Sequence, residues 1–227
     1  MRCCVPALLA MMALRSGAQT PFQGYTATLA TYGSCNPFEL KCRPDAIDKI
    51  SVPATGEFAR ETQGTGDSSA SHVIEIHTKA AEFDVFPGVG MYYEISLPLK
   101  TTVVNDHRCA HQAGDAMFIE EDDIRGHAAF QYQLPVVEGA TRMVWLFPDA
   151  GCAQLESTTD FYGTSPTSQS LIEFKTPFTD DSVLKPRGVA ASPIEVLHAN
   201  FTALATNLPH PVDAAAAEAR WKAAMAD

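Results

Sequence analysis

One stretch limits the possible folds more than any other part of the chain: residues 127–147, HAAFQYQLPVVEGATRMVWLF. Its first half alternates apolar and polar side chains with a period of two, which is typical of a strand that buries one face. Its second half, TRMVWLF, is apolar at both alternating sets of positions, so we expect both faces of that strand to be covered. Pro135 and Gly139 mark a turn between the two halves. The pattern predicts a β-hairpin in the middle of a sheet.

Similar strand patterns occur before and after this hairpin. Outside it, the sequence predicts strands at residues 24–32, 47–52, 72–78, 91–99, 116–119 and 170–174. Residues 61–71 and 148–168 are rich in Gly, Ser, Thr and Asp, and this composition predicts surface loops. About eight strands separated by turn signals favour a mainly β fold, an antiparallel β-sandwich over residues 19–190. An open sheet backed by helices is the alternative architecture.

The C-terminal residues 191–227 change to a helical pattern. Ser192 and Glu195 have the spacing of a capping box, which predicts the start of a helix. An apolar stripe at helical spacing follows, and Pro209 predicts that this helix ends shortly before it. The stripe, which we expect to be buried, consists of Ile194, Leu197, Phe201 and Leu204. An alanine-rich segment carrying Trp221 comes next, so the sequence predicts an appendage of two α-helices.

The first 18 residues have the layout of a secretory signal peptide. Arg2 supplies a positive charge, residues 3–14 form an unbroken apolar run, and Ser16-Gly17-Ala18 places small residues at a cleavage site. The apolar run is too short to cross a bilayer as a helix, and no later segment is long and apolar enough. The sequence therefore predicts export through the secretory pathway to the exterior or an organelle lumen, without a transmembrane segment.

The charge of the chain restricts its partners. The formal net charge is −11, and removal of residues 1–18 takes away two arginines and no acid, which makes it −13. A surface this acidic argues against nucleic acid or anionic lipid surfaces as partners.

Four cysteines remain in the exported chain, an even number that predicts two disulfides. We expect Cys35–Cys42, which closes a short loop containing a turn, and Cys109–Cys152, which ties down the loop before the central hairpin. A plain up-and-down meander would place Cys109 and Cys152 at opposite ends of the sheet, so the second bridge requires a crossover connection.

Histidines and acids form the most suggestive candidate metal ligands. His107 and His111 have the i, i+4 spacing that lets two imidazoles on one helix share a metal, with Asp115 or His127 as a third ligand. Zinc or copper suits such ligands. The alternative is surface histidines on a loop held by Cys109, because no HExxH motif is present.

A run of acids, EEDD at residues 120–123, is the second candidate cation site. Four adjacent carboxylates attract Ca²⁺, but the alternating acids and the glycine of an EF-hand loop are missing. A solvated turn between two strands is therefore our preferred interpretation, and we expect no cofactor.

Three aromatic residues resemble the stacking surface of a glycan-binding protein. Tyr92 lies on the predicted outer face of its strand, and Phe161 and Tyr162 lie in a long polar loop. Asn200-Phe201-Thr202 is a sequon for N-glycosylation at Asn200.

No motif of a known catalytic class occurs in the chain, so a role in binding is favoured over catalysis. The sequence predicts a secreted or lumenal, disulfide-stapled β-sandwich that binds a glycan or protein ligand. One alternative is a metal-dependent extracytoplasmic enzyme that uses His107 and His111. The other is an accessory subunit of a larger lumenal assembly, docked through the C-terminal helices.

Overall fold

The computed structural model describes residues 22–33, 42–65, 71–95, 107–135, 140–161 and 167–207, together with residue 219. The strands are β1 Tyr25–Tyr32, β2 Ala46–Val52, β3 Phe58–Gly64, β4 His72–His77, β5 Glu82–Phe86, β6 Met91–Ile95, β7 Met117–Ile124, β8 His127–Gln133, β9 Ala140–Phe147, β10 Ala153–Phe161, β11 Thr167–Lys175 and β12 Val189–Ala190. The α-helices are α1 Ala110–Ala113 and α2 Pro193–Asn207. Short 3₁₀ helices occur at His107–Cys109, Pro148–Ala150 and Asp181–Leu184.

All twelve strands belong to one sheet, in the order β12-β6-β5-β4-β3-β2-β1-β11-β10-β9-β8-β7. Every neighbouring pair is antiparallel except β12 and β6, which are parallel. The prediction of a mainly β fold is confirmed. The predicted eight-stranded sandwich is replaced by a single open, mixed sheet. The open sheet was the alternative that the sequence left open, but of the two C-terminal helices expected to back it only α2 lies among the described residues.

The sheet curves back on itself between β8 and β11. Arg125 Nε donates a hydrogen bond to the Leu171 carbonyl oxygen at 2.5 Å, and the ring centroids of His127 and Phe174 are 4.8 Å apart. Strands β8 and β11 are three positions apart, which is about 14 Å in a flat sheet. One bent sheet thus covers part of its own core, as the two sheets of a sandwich do.

The predicted hairpin forms β8 and β9, and both faces of β9 are covered as expected. Val144 and Leu146 pack in a cluster beneath α1, whereas Phe147 is fully buried in the largest core cluster, with Leu29 and Leu171. The hairpin does not lie in the middle of the sheet, because only β7 separates it from the sheet edge. The face of β9 that carries Val144 and Leu146 is covered by helix α1 rather than by further strands.

Four strands were missed: β3 and β10 because they are polar, and β5 and β12 because they are short. Strand β3 (FARETQG) and strand β10 (AQLESTTDF) overlap the predicted loops at residues 61–71 and 148–168, and β5 lies in a segment with no assigned structure. Neighbours on both sides satisfy the backbone hydrogen bonds of β3 and β10, so tertiary pairing overrides their weak local patterns. The acids at 120–123 likewise lie within β7 rather than in a turn, and charged side chains are well tolerated on such an edge strand.

Helix α2 begins with the predicted capping box. Glu195 Oε2 accepts a hydrogen bond from the Ser192 backbone N–H at 2.9 Å, and Ser192 Oγ accepts one from the Glu195 N–H at 3.3 Å. The predicted burial of its apolar stripe is wrong, because Ile194 is 55% and Leu197 41% exposed while Val196 is fully buried. The helix packs beside β6 through the face that carries Val196, so its inward face is rotated away from the stripe. Phe201 of the stripe is 44% exposed.

Several other predictions concern the ends of the chain. The signal peptide and Trp221 lie outside the described residues, so export and docking through the C-terminal helices stay predictions. Asn200 is half-buried within α2, and its glycosylation is also untested. No helix in the described part of the chain combines the length and the apolar character needed to span a bilayer.

The disulfide Cys109–Cys152 forms as predicted, with its Cα atoms 5.4 Å apart. The required crossover is supplied by the segment His107–Ala113, which lies over β8 and β9. Cys42 is also disulfide-bonded, and its predicted partner Cys35 lies outside the described residues.

Candidate functional site

The predicted pair of metal-binding histidines does not share one helical face. Arg108 and Cys109, which lie between His107 and His111, have left-handed backbone conformations with φ of 59° and 55°. Arg108 and Cys109 interrupt the helical path between His107 and the four-residue helix α1, so the i, i+4 geometry of a continuous helix is lost.

The two proposed third ligands lie in different surroundings. Asp115 is exposed after α1, and His127 is in β8, where its Nδ1 is 3.9 Å from Asp149 Oδ2. Within the part of the chain that the structure describes, no three His, Cys, Asp or Glu side chains converge as a metal site requires. The position of the His107 side chain is outside the description, so metal binding there stays a prediction.

The three aromatic candidates are not clustered by the described backbone. Tyr92 is in β6 and packs edge-to-face on Phe83, with ring centroids 6.1 Å apart. Phe161 ends β10, which is far from β6 in the strand order, and Tyr162 lies outside the described residues. A ligand-binding role for Tyr92, Phe161 and Tyr162 stays a prediction.

A better candidate for a ligand-binding site is a cavity of about 530 Å³ between strands β2–β5 and residues 182–188. We call these residues the strap and the space beneath them the strap cavity. The cavity is lined by Lys49, Ser51, Ala59, Glu61, His72, Ile74, Ile76, Val85, Pro87, Gly90, Ser182, Val183, Lys185, Arg187 and Gly188.

The strand register explains why these side chains meet. Ser51 is paired with Ala59 and Ala59 with Ile76, so these residues share one face of the sheet. Ile74 is paired with Val85 on that same face. Ala59, Ile76 and Val85 are 6%, 2% and 3% exposed, and together they form an apolar floor.

A local hydrogen bond shapes the start of the strap, and its end is joined to the sheet. At its start, Asp180 Oδ1 accepts a hydrogen bond from the Ser182 N–H at 2.9 Å. At its end, the Val189 N–H donates to the Gly90 carbonyl oxygen at 2.9 Å, where the strap joins the edge of β6. Gly188, with φ of +120°, approaches Gly90 so closely that a Cβ would lie 2.5 Å from its carbonyl oxygen. Backbone contacts thus fix the end of the strap, and its Val183 and Leu184 pack against the cluster that forms the floor.

The rim of the strap cavity carries more positive than negative charge. Glu61 is already paired, because its Oε1 is 2.8 Å from His72 Nε2 and its Oε2 is 3.9 Å from Lys49 Nζ. Lys185 and Arg187 on the strap form no salt bridge with another described residue. Hydrogen bonds from Ser182, together with the charge of Arg187, lower the pKa of Asp180 beside the strap, so one acid lies near this cation. Among the residues that line the cavity, positive charge still exceeds negative in a chain with a formal charge of −11.

The opposite face of β2 and β3 is polar instead. Asp48 is 1% exposed and accepts five hydrogen bonds, from Thr31, Arg60, Thr62 and Gln169. Burial alone would raise the pKa of the Asp48 carboxyl, but the hydrogen bonds and the charge of Arg60 outweigh it, so the pKa is lowered. Asp48 is therefore held as a buried carboxylate.

Another cavity, of about 410 Å³, lies beside the bend of the sheet. Trp145 Nε1 donates a hydrogen bond to Asp122 Oδ2 at 3.3 Å, and Glu156 lines the same cavity. Burial raises the pKa of Glu156, aided by the charge of Asp122 and opposed by a backbone hydrogen bond from Leu171 and the charge of Arg125.

Sequence reasoning missed the strap cavity. Its floor comes from β3–β5, two strands of which were not predicted, and its roof lies about 100 residues further along the chain. The alternation of Ile74 and Ile76 in β4 was the only local signal, and it indicated a buried strand face rather than a binding site.

Comparison with known proteins assigns no family to this chain. No family model and no curated protein matches the sequence. An uncharacterized conserved protein from Thermus thermophilus is 11% identical, with 75% of this chain and 91% of that chain covered and a TM-score of 0.48. The Pseudomonas aeruginosa MucA/MucB complex is 10% identical, with 70% of this chain and 53% of that chain covered and a TM-score of 0.42. A LolA superfamily protein from Nitrosomonas europaea is 7% identical, with 74% of this chain and 92% of that chain covered and a TM-score of 0.33. Likeness at this level assigns neither a ligand nor an activity.

Proposed function

We propose that this protein is an extracytoplasmic binding module whose strap cavity takes a ligand with an apolar body and an anionic group, such as a fatty-acid carboxylate. The observation that carries the proposal is the combination of an apolar floor with a cationic rim in an otherwise acidic protein. The volume of about 530 Å³ lies within the range of small-ligand sites, about 300–1,000 Å³.

The two parts of the cavity make separable contributions to binding. Each methylene buried on the floor formed by Ala59, Ile76 and Val85 contributes about 0.8 kcal/mol, or about fourfold in affinity. Lys185 and Arg187 are exposed, so their attraction for an anion is screened by salt and selects charge more than it adds affinity. Such a site discriminates by chain length and by the sign of the headgroup.

The wider setting comes from the sequence. Export is proposed from residues 1–18, and the disulfide Cys109–Cys152 suits an oxidising compartment. The acidity of the whole chain still argues against binding to an anionic lipid surface, whereas a single acyl anion meets only the local cationic rim. A glycan or protein ligand stays a prediction from the sequence, and we propose no catalytic step.

Calorimetric titration tests the proposal with ligands that share one chain and differ in charge. Dodecanoate, below the concentration at which it forms micelles, is expected to bind more tightly than dodecanol and much more tightly than dodecyltrimethylammonium. Shortening the carboxylate by one methylene at a time should weaken binding by up to about fourfold per step. Equal binding of all three headgroups, or no binding of dodecanoate, would contradict the proposal.

Two double variants distinguish the effect of the rim cations on binding from the effect of the net charge of the protein. Lys185→Gln with Arg187→Gln removes both strap cations, whereas Lys79→Gln with Lys175→Gln removes two exposed cations that do not line the cavity. Because the change in net charge is the same, only the first pair should reduce the preference for dodecanoate over dodecanol. An equal effect of both pairs would assign the preference to the overall charge of the protein.

A further inference from the structure

A second cavity, of about 440 Å³, lies on the other face of the sheet, where Asp48 is buried. We call it the arginine cleft. Six of its lining residues carry the argument: Thr31, Arg60, Arg142, Gln154, Ser157 and Gln169. The strap cavity uses the alternate residues of β2 and β3, so the two cavities share no lining residue.

The first guanidinium of the cleft is rigidly placed. Arg60 Nε donates to Asp48 Oδ1 at 3.2 Å and Arg60 Nη2 donates to Asp48 Oδ2 at 3.0 Å. The carboxylate is itself fixed by Thr31, Thr62 and Gln169. The Arg60 side chain remains 39% exposed, so its other N–H groups are available for a ligand without losing the bidentate pair.

The second guanidinium comes from a distant strand. Arg142 is in β9, five positions from β3 in the sheet, a separation of about 24 Å if the sheet were flat. The bend brings Arg142 and Arg60 to the lining of one cleft. Arg142 Nη2 donates to Gln154 Oε1 at 3.3 Å and forms no salt bridge with another described residue. Arg60 is thus balanced by Asp48 and by the charge of Glu75, with which it is paired across β3 and β4, whereas Arg142 keeps a positive charge that no described carboxylate pairs with.

Neutral polar groups lie between the two arginines. Thr31 is paired with Gln169 across β1 and β11, and Gln169 is paired with Ser157 across β11 and β10, so the three share one face. Gln169 Nε2 donates to Asp48 at 3.3 Å, which leaves its carbonyl oxygen as an acceptor for a ligand hydroxyl. The Ser157 hydroxyl is a further donor and acceptor in this row.

We propose that the arginine cleft binds a small polyhydroxylated carboxylate, that is, an acidic sugar. Its carboxylate pairs with the guanidinium of Arg142 and with the free N–H groups of Arg60. Its hydroxyls exchange hydrogen bonds with Gln169 and Ser157. This ligand differs in chemistry from the amphiphile of the strap cavity, and it approaches the opposite face of the sheet.

Titration calorimetry with three probes tests the proposal. D-glucuronate carries both the charge and the hydroxyls, D-glucose lacks the charge, and inorganic sulfate lacks the hydroxyl pattern. We expect glucuronate to bind about tenfold more tightly than either of the others, because a charge-assisted hydrogen-bond pair and a set of neutral hydrogen bonds each contribute at that level. Glucose or sulfate binding as tightly as glucuronate, or the absence of saturable glucuronate binding, would overturn it.

A matched pair of variants locates the site. Arg142→Gln should weaken glucuronate binding about tenfold, whereas Lys79→Gln, which removes one exposed cation outside the cleft, should leave it unchanged. Arg142 is exposed, and unchanged circular dichroism and melting temperature will show that the variant is folded. Equal affinities for Arg142→Gln and the wild type would contradict the proposal. Dodecanoate binding is expected to be the same in both variants, so this outcome does not depend on the strap cavity.

Discussion

Arg60 and Asp48 form a bidentate pair across neighbouring strands, at 3.2 Å and 3.0 Å. Asp48 also accepts a hydrogen bond from Gln169, which lies 121 residues further along the chain, on β11. The pairing of β1 with β11 joins the two halves of the sheet, and Thr31 of β1 donates to the same carboxylate. One buried carboxylate therefore links four strands at the junction of the two halves.

Replacement of Asp48 by asparagine should destabilise the protein. The change removes the hydrogen-bonded counter-ion of Arg60 and leaves only the charge of Glu75 nearby. We expect a loss of about 2–3 kcal/mol in the free energy of unfolding, less than for a fully buried pair because Arg60 is 39% exposed. Urea denaturation measures this. Asp149→Asn is the control, since Asp149 is 61% exposed and should change stability by less than about 0.5 kcal/mol. Equal effects of the two substitutions would show that the Asp48 network is not a stabilising hub.

The effect of Asp48 should depend on pH with a defined sign. Although burial opposes it, the net shift lowers the pKa of Asp48 in the folded protein. The stability that this group contributes is therefore fully present above the unfolded pKa of about 3.9 and is lost as pH falls through the folded pKa. Melting temperatures of the wild type and Asp48→Asn should converge as the pH is lowered from about 6 to about 3. A difference that stays constant over this range would be evidence against the ionised, paired carboxylate.

Glu156 should show the opposite dependence. Burial raises its pKa, so the folded state holds the proton more tightly than the unfolded state does. The sign follows directly: stability falls as the pH rises through the folded pKa of this group. Glu156→Gln should therefore raise the melting temperature at about pH 7.5 and change it little at about pH 3.5. A lower melting temperature at the higher pH would indicate that the carboxylate is stabilised rather than strained there.

The disulfide Cys109–Cys152 closes a loop across 43 positions. In the chain-entropy description, closing a loop of this length stabilises the folded state by about 3–4 kcal/mol. The double variant Cys109→Ser with Cys152→Ser should lose about that amount in urea denaturation. A reducing agent should then destabilise the wild type more than the variant. If the variant is as stable as the oxidised wild type, α1 is held on β8 and β9 by packing alone.

The hairpin of β8 and β9 was predictable because its apolar pattern is local. Val144, Leu146 and Phe147 place apolar side chains on both faces of the strand, and the structure covers both faces. Strands β3 and β10 were not predictable, because their residues, among them Arg60 and Ser157, are mostly polar and both strands are held by pairing with a neighbour on each side. Their burial follows from the sheet order rather than from a local period.

The helical stripe shows a different limit of sequence patterns. Ile194 and Leu197 have the spacing of a buried face, yet the helix packs through Val196. Periodicity predicts which residues share a helical face, but the neighbouring strand decides which face is turned inward. The strap cavity was missed for a related reason, because residues 182–188 have no apolar period and act only by crossing β3–β5.

The most direct test of the central claim is a methyl NMR titration of the protein with dodecanoate. Ile76 and Val85 on the floor, Ile74 beside them and Val183 on the strap are expected to shift together and to saturate at one equivalent. Ile194 and Leu197 on the exposed face of α2 serve as internal references and should stay unchanged. Saturable shifts confined to the four cavity residues are the predicted result. Shifts confined to α2, or no saturable shifts at all, would contradict the assignment of the strap cavity as the binding site.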